Sequence, residues 1–206
     1  MSDMPKSLKA KEWEKECQEA FQWTRKRGIA TASRYGVVAT MIEGKWIPIP
    51  SLPDFEGVVN EDGKRGRQFI FDCKVCSGPS FPIGKLREER KRQLNHMLER
   101  AEFGAICFFA VWFNEWQTQS NYYPPSSWAF PVFKQHPLWE QFAAGFGSTI
   151  TRLACEEYAV PIQWQAPSGG HKVRPNLLGA VHAVAERVEN ARAATSSEGE
   201  WKDQLW

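Results

Sequence analysis

The sequence has no hydrophobic run long enough to span a bilayer. The longest apolar segment is AICFFAVWF at residues 105–113, whereas a membrane-spanning helix needs about 20 apolar residues. A run of this length predicts a buried central strand instead. Residues 1–16 also lack an apolar stretch. We therefore expect no signal peptide and a cytoplasmic location, in the host cytoplasm if a phage encodes the chain.

The sequence also has few cysteines and histidines, and its net charge is small. The five cysteines are odd in number and scattered, there are four histidines, and the formal net charge is only +2. Without an export signal, we expect reduced thiols rather than a disulfide framework. The small net charge gives no global attraction to nucleic acid, so a DNA-binding surface would have to come from local basic clusters.

Aromatic residues, by contrast, are plentiful. The chain of 206 residues contains ten Trp and thirteen Phe, and its 42% hydrophobic and 24% charged residues are ordinary for a globular protein. This length predicts a single domain over residues 1–206. Most of the aromatic rings should fill the core, although some of the Trp side chains could stack on unpaired bases.

Periodicity predicts helices alternating with strands. The expected helices are 7–27, 86–102, a glycine-interrupted 137–158 and 176–194, and the expected strands are 36–42, 53–59, 67–75, 105–113 and 160–164. Residues 61–66 contain an Asp-Gly turn signal, which predicts a hairpin between 53–59 and 67–75. This order of elements is typical of an α/β domain with a mixed central sheet flanked by helices.

The strand at 67–75 carries charges where a core strand would carry valines. Strand side chains alternate, so Asp72 and Lys74 share one face and Cys73 lies on the other. In the predicted hairpin Asp54 approaches the Asp72 end. Two carboxylates and an ammonium group can hold Mg²⁺ and support metal-assisted phosphodiester hydrolysis. The alternative is a surface ion pair between Asp72 and Lys74 on an exposed sheet face.

The segment around these charges resembles a known family. Its motifs are Pro53-Asp54, Asp72-Cys73-Lys74, Ser80-Phe81-Pro82-Ile83, a helix with Gln93 and His96, and a strand followed by YYPP at 122–125. They are similar to RecU-type Holliday-junction resolvases of the PD-(D/E)xK nuclease superfamily. The resemblance covers about residues 10–130. It implies a restriction-endonuclease-like catalytic core there and a C-terminal extension over 131–206.

The resemblance also implies roles for particular residues. Asp54 and Asp72 would be the metal carboxylates, Lys74 the transition-state stabiliser and Gln93 a support for the metal site. Cys73 would fill the core while its backbone carbonyl lies beside the metal. Glu14 resembles the helical glutamate of the family, and it is otherwise a solvated helix acid.

By the same resemblance, the function is structure-selective cleavage of four-way junction DNA by a bacterial or phage homodimer. It would need Mg²⁺, for which Mn²⁺ would substitute. Two departures stand out, since the family usually has Glu where this chain has Asp72, and often Thr where it has Leu52. Two alternatives remain: another nuclease on the same core, or a non-catalytic DNA-binding protein.

Two further features carry competing interpretations. Cys73 and Cys76 form a Cys-x-x-Cys motif that could start a zinc-binding interaction module, but no second closely spaced pair follows. The basic stretches are either solvated faces or clamps for the DNA backbone. The candidate DNA-binding residues are Lys64, Arg65, Arg67, Lys85, Arg87, Arg90, Lys91, Arg92, His171, Lys172 and Arg174.

Overall fold

The computed structural model describes residues 4–34, 39–42, 45–48, 53–60, 66–82, 91–143, 149–166 and 172–203. Within these ranges, none of the helices is both long and apolar enough to cross a membrane.

Helices and strands alternate along the chain. The helices are α1 (Ala10–Lys26), α2 (Lys91–Glu102), α3 (Pro137–Ala143), α4 (Cys155–Tyr158) and α5 (Leu177–Asp203). The first strands are β1 (Ala30–Arg34), β2 (Ala39–Ile42), β3 (Lys45–Pro48), β4 (Phe55–Val59), β5 (Arg67–Cys76), β6 (Ser80–Phe81) and β7 (Ile106–Phe113). The others are β8 (Trp116–Gln117), β9 (Tyr122–Tyr123), β10 (Ser126–Pro131), β11 (Ile150–Thr151), β12 (Val160–Pro161), β13 (Trp164–Gln165) and β14 (Arg174–Pro175).

Six of the strands form one mixed sheet in the order β1-β4-β5-β7-β10-β12. The pairing of β5 with β7 is parallel, and the other pairings in this sheet are antiparallel. The connection from β5 to β7 runs through α2, as a parallel pair requires a crossover. The predicted α/β fold with a mixed central sheet flanked by helices is confirmed.

Helices cover both faces of the sheet. On one face, Phe21 of α1 stacks on Phe69 and Phe71 of β5, with ring centroids 5.0 and 5.8 Å away. Helix α5 packs against α1 and β7. On the other face, Trp139 of α3 packs 5.7 Å from Phe109 of β7. The central strands β5 and β7 are therefore buried on both sides, as their burial patterns show.

The predicted hairpin of β4 and β5 is confirmed, as are the first helix and the central strand at Ile106–Phe113. Elsewhere the structure differs from the expectation. The predicted helix 137–158 contains two short helices with β11 between them, because β-branched Ile150 and Thr151 pair with β6. Strands β2 and β3 form a short antiparallel hairpin, for which the sequence pattern gave no prediction.

Candidate active site

Strands β4 and β5 bring Asp54 to the Asp72 end of the hairpin. Phe55 pairs with Phe71, so Asp54 lies beside Asp72 one step further along. The Asp54 carboxylate accepts a hydrogen bond from the backbone N–H of Cys73, with 2.8 Å between N and Oδ2. This bond fixes Asp54 to the backbone between the two charged residues of β5.

Asp72 and Lys74 form a buried ion pair. Asp72 is 0% exposed and Lys74 is 9% exposed. The interpretation as a surface ion pair on an exposed face is therefore wrong, because helices cover this face as well. No hydrogen-bond donor in the described part of the chain reaches Oδ1 of Asp72. A buried carboxylate oxygen in this state has acceptor capacity left for a cation.

The backbone of Cys73 adds an oxygen on the same side. In a strand, the N–H and C=O of one residue point toward the same neighbouring strand. The N–H of Cys73 points to Asp54, and β4 pairs with β5 only as far as Phe71. The carbonyl of Cys73 therefore faces the Asp54 side, beyond the last ladder pair, where it can act as a ligand.

The side chain of Cys73 fills the core, as predicted. Its sulfur lies 3.6 Å from the sulfur of Cys17 on α1, and burial raises the pKa of the Cys73 thiol. Burial also raises the pKa of Cys76 to about 12, and the charge of Arg152 opposes that rise. The two thiols of the Cys-x-x-Cys motif thus face different surroundings on opposite sides of β5, which argues against a shared zinc site.

Glu14 lies on α1, which covers the opposite face of the sheet from Asp72. It forms an ion pair with Arg34, and Arg34 is opposite Phe55 in the pairing of β1 with β4. Burial is the main cause of the raised pKa of the Cys73 thiol, and the negative charges of Asp54 and Glu14 raise it further. Glu14 is thus an ion-paired, partly buried acid at the Asp54 end of the sheet, rather than a solvated one.

Gln93 lies buried in the first turn of α2, which confirms its predicted inward-facing position. This helix packs against β7, the strand that pairs with β5 on the side away from β4. The helix leads back to the start of β7, so its first turn lies toward the carboxyl end of β5. Gln93 is therefore on the element that closes the site.

The structure adds Glu56 to this region and describes His96, which the helix motif had already named. Burial lowers the pKa of His96, while Glu56 on β4 acts in the opposite direction. The Nε2 atom of His96 is buried and has no hydrogen-bond partner among the described residues. Glu56 accepts a hydrogen bond from Gln68. The period-two pattern from Asp54 places Glu56 on the same face, and this signal could have been read from the sequence.

The candidate DNA-binding residues fall into three groups. Lys64, Arg65, Lys85, Arg87, Arg90 and His171 lie outside the described residues, and the side chains of Lys91 and Arg92 do too. The other three are ion-paired within the chain, Arg67 with Glu189, Lys172 with Glu16 and Arg174 with Glu19. Contact of these three with DNA stays a prediction, and it would require phosphates to replace the carboxylates.

The donor set fits Mg²⁺ and does not form a closed metal cage. No three side chains of His, Cys, Asp or Glu converge within the part of the chain that the structure describes. Mg²⁺ keeps several waters and needs only one or two carboxylates from the protein. Asp54, the Oδ1 atom of Asp72 and the carbonyl of Cys73 could serve as hard oxygen ligands of this kind.

The fold and this cluster define a mixed α/β protein with a carboxylate and lysine centre on its central strand. No family model matches the chain, and no curated protein does. Among solved structures, the chain is similar to Hjc of Archaeoglobus fulgidus, a Holliday junction resolvase from an archaeal hyperthermophile. The two are 12% identical, with a TM-score of 0.42, over 73% of this chain and 94% of that one. A likeness this weak carries no functional conclusion.

Proposed function

We propose that this protein is a Mg²⁺-dependent DNA endonuclease that resolves four-way junctions as a symmetric homodimer. One observation supports this most: a buried Asp72–Lys74 pair, with Asp54 bonded to the backbone between the two. The choice of a four-way junction as the substrate rests on the order of the motifs, which resembles that of RecU-type resolvases.

The energetics of the pair favour a chemical purpose. Removing two charges from water costs several kcal/mol per ion, and apolar residues of similar volume are often as stabilising. The strand β5 is central and buried on both faces, so it has no structural need for charge. A site that binds a cation and an anionic phosphate does need it.

Asp54, Asp72 and the Cys73 carbonyl would hold the metal, with support from Gln93. When bound, Mg²⁺ lowers the pKa of a coordinated water and neutralises charge on the phosphate. Lys74 would donate a hydrogen bond to a non-bridging phosphate oxygen, and in doing so it would share its ammonium group between Asp72 and the substrate. Glu14 would keep Arg34 and the Asp54 end of the sheet in place.

The reaction is hydrolysis. A water oxygen forms a bond to phosphorus while one bridging P–O bond breaks, the leaving oxygen takes up a proton, and the attacking water loses one to solvent. Resolution of a junction needs two such cuts in strands of like polarity, so two sites related by a two-fold axis are required. The basic residues named above would contact the DNA backbone on either side.

The test compares a labelled four-way junction with a linear duplex of the same sequence, with Mg²⁺ or with EDTA. The variants are Asp72→Asn, which keeps the shape of the side chain, and Glu140→Gln as a control at an exposed helix position. We expect paired symmetric nicks on the junction alone, lost with EDTA and in Asp72→Asn but retained in Glu140→Gln.

Other outcomes separate the alternatives. Equal cutting of junction and duplex would keep the nuclease and refute the junction preference. Tight DNA binding without cleavage in the presence of Mg²⁺ or Mn²⁺ would refute the proposed nuclease activity and favour a non-catalytic DNA-binding protein. Cleavage by Asp72→Asn at the wild-type rate would place the site elsewhere.

A further inference from the structure

Arg152 fixes a surface turn to the carboxyl ends of the central strands. This side chain is buried, and its guanidinium donates to the carbonyls of Pro124 at 2.9 Å and of Gly78 and Tyr123 at 3.4 Å each. It also donates to the carbonyl of Asn114. No carboxylate pairs with Arg152 among the described residues. The four carbonyls therefore replace water around the guanidinium, and Arg152 joins its own turn to three other chain segments.

The next residue, Leu153, points away from this anchor. It is 81% exposed, although its backbone is held on both sides. The N–H of Arg152 bonds to the carbonyl of Pro79 at 3.0 Å, and the N–H of Ala154 bonds to that of Thr151 at 3.1 Å. An isolated exposed leucine is common on protein surfaces. A leucine on a turn that is bonded to the segment following a candidate active site is more informative.

An exposed aromatic side chain lies on a segment that Arg152 also anchors. Tyr122 is 56% exposed, and its neighbour Tyr123 offers its carbonyl to Arg152 and packs its ring 5.4 Å from Trp116. We call Leu153 and Tyr122 together the apolar tip. Both members are thus attached through one buried guanidinium.

The apolar tip is anchored to the chain segment that directly follows the proposed site of cleavage. Arg152 bonds to Gly78 and Pro79, which follow Lys74 by four and five residues in the sequence. An extended chain advances at most about 3.3–3.6 Å per residue, so Gly78 is within roughly 15 Å of Lys74. Stacked bases rise about 3.4 Å per step, and DNA held at Lys74 would reach this turn within a few nucleotides.

We propose that the apolar tip receives an unstacked base of the DNA substrate a few nucleotides from the cut. This inference rests on the proposed function and adds a substrate contact to it. Proteins that distort DNA insert apolar wedges such as leucine between base steps, and aromatic rings stack on bases that have left the helix. When the arms of a four-way junction open, the base pairs at the branch point lose a stacking neighbour and unstack more readily than those of a continuous duplex.

The test measures binding and base unstacking, with EDTA present so that no strand is cut. A junction carrying 2-aminopurine near the branch point is titrated with wild type, Leu153→Ser, Tyr122→Ser and Phe103→Ser. Phe103 is the matched control, since it is 83% exposed but lies at the other end of the sheet, next to the Gly104 carbonyl that Arg67 binds. All three variants should melt at the wild-type temperature, because these side chains are exposed.

We expect wild type and Phe103→Ser to raise the 2-aminopurine fluorescence. Leu153→Ser and Tyr122→Ser should lose that rise and bind the junction about tenfold more weakly, the size of one lost stacking contact. Unchanged binding and fluorescence in both would refute the tip while leaving cleavage by wild type intact. A change of mass in solution for Leu153→Ser would show instead that the tip packs against a second copy. If Leu153→Ser and Tyr122→Ser bind the junction more weakly but wild type cuts no DNA, the proposed nuclease activity is refuted and the base contact at the tip is not.

Discussion

Replacement of Lys74 by methionine tests whether the Asp72–Lys74 pair is as buried as the structure shows. Lys74→Met leaves the Asp72 carboxylate in the core without its cation. Removing one partner of a buried pair costs roughly 3–5 kcal/mol, whereas replacing both by apolar residues is often neutral or stabilising. We therefore expect Lys74→Met to unfold at a clearly lower urea concentration, and the double variant Asp72→Leu/Lys74→Met to regain most of that loss.

An exposed ion pair supplies the control. Lys134 and Glu102 form a pair whose side chains are 61% and 47% exposed, and such pairs contribute about 0–1 kcal/mol. Lys134→Met should therefore change the free energy of unfolding very little. The contrast between the two methionine variants isolates burial from the loss of one positive charge.

The same variant reports metal binding without any cleavage assay. If Asp54 and Asp72 hold Mg²⁺, the ion should stabilise Lys74→Met by binding the folded state, by about 2.7 kcal/mol at one hundred times its dissociation constant. The double variant lacks the Asp72 carboxylate and should gain much less. The reasoning is refuted if Lys74→Met lowers the free energy of unfolding by less than about 1 kcal/mol. It is also refuted if the double variant loses as much as Lys74→Met and Asp72→Leu lose in sum.

Three further predictions concern the scaffold. Burial lowers the pKa of His136 to about 4, whereas the pKa of an unfolded histidine is about 6.5. As the pH falls from about 6.5 to about 4, only the unfolded state binds a proton at this residue, so the free energy of unfolding drops by up to about 3 kcal/mol. Denaturation of His136→Asn across this range should therefore show a flatter pH dependence. Gly57→Ala should lower the melting temperature markedly, since a Cβ there would overlap the Thr31 carbonyl and the Phe69 ring. Arg152→Met should destabilise the fold by about 2–4 kcal/mol in urea titrations, because the carbonyls it binds lose charged donors, and Arg152→Lys should recover only part of this loss.

Much of the site could be predicted from the sequence because its geometry is local. Asp54, Asp72 and Lys74 lie on the two arms of one hairpin, so the period of two and the Asp-Gly turn signal in the sequence were enough to predict which side chains meet. Gln93 on its helix follows from helical periodicity in the same way. The burial of the ion pair could not be predicted, since it depends on helices that arrive later in the chain and cover the second face.

Arg152 shows why the remaining part was out of reach. Its partners are backbone carbonyls of Gly78, Asn114, Tyr123 and Pro124, and a carbonyl has no residue type that a sequence pattern could reveal. The Cys73 carbonyl was predicted as a ligand through the resemblance, and its physical reason, the end of the β4 pairing at Phe71, is visible only in the structure.

The end of that pairing explains why charge accumulates at this point of the sheet. Beyond Phe71, the β4 side of β5 has no strand to satisfy its backbone, and the Asp54 carboxylate takes over for the N–H of Cys73. The Asp54 carboxylate reaches the backbone of Cys73 from the β4 side, whereas Asp72 and Lys74 are the neighbours of Cys73 along β5. Two carboxylates and an ammonium group therefore flank one residue, Cys73. A metal and a phosphate could be held together there without any loop having to close.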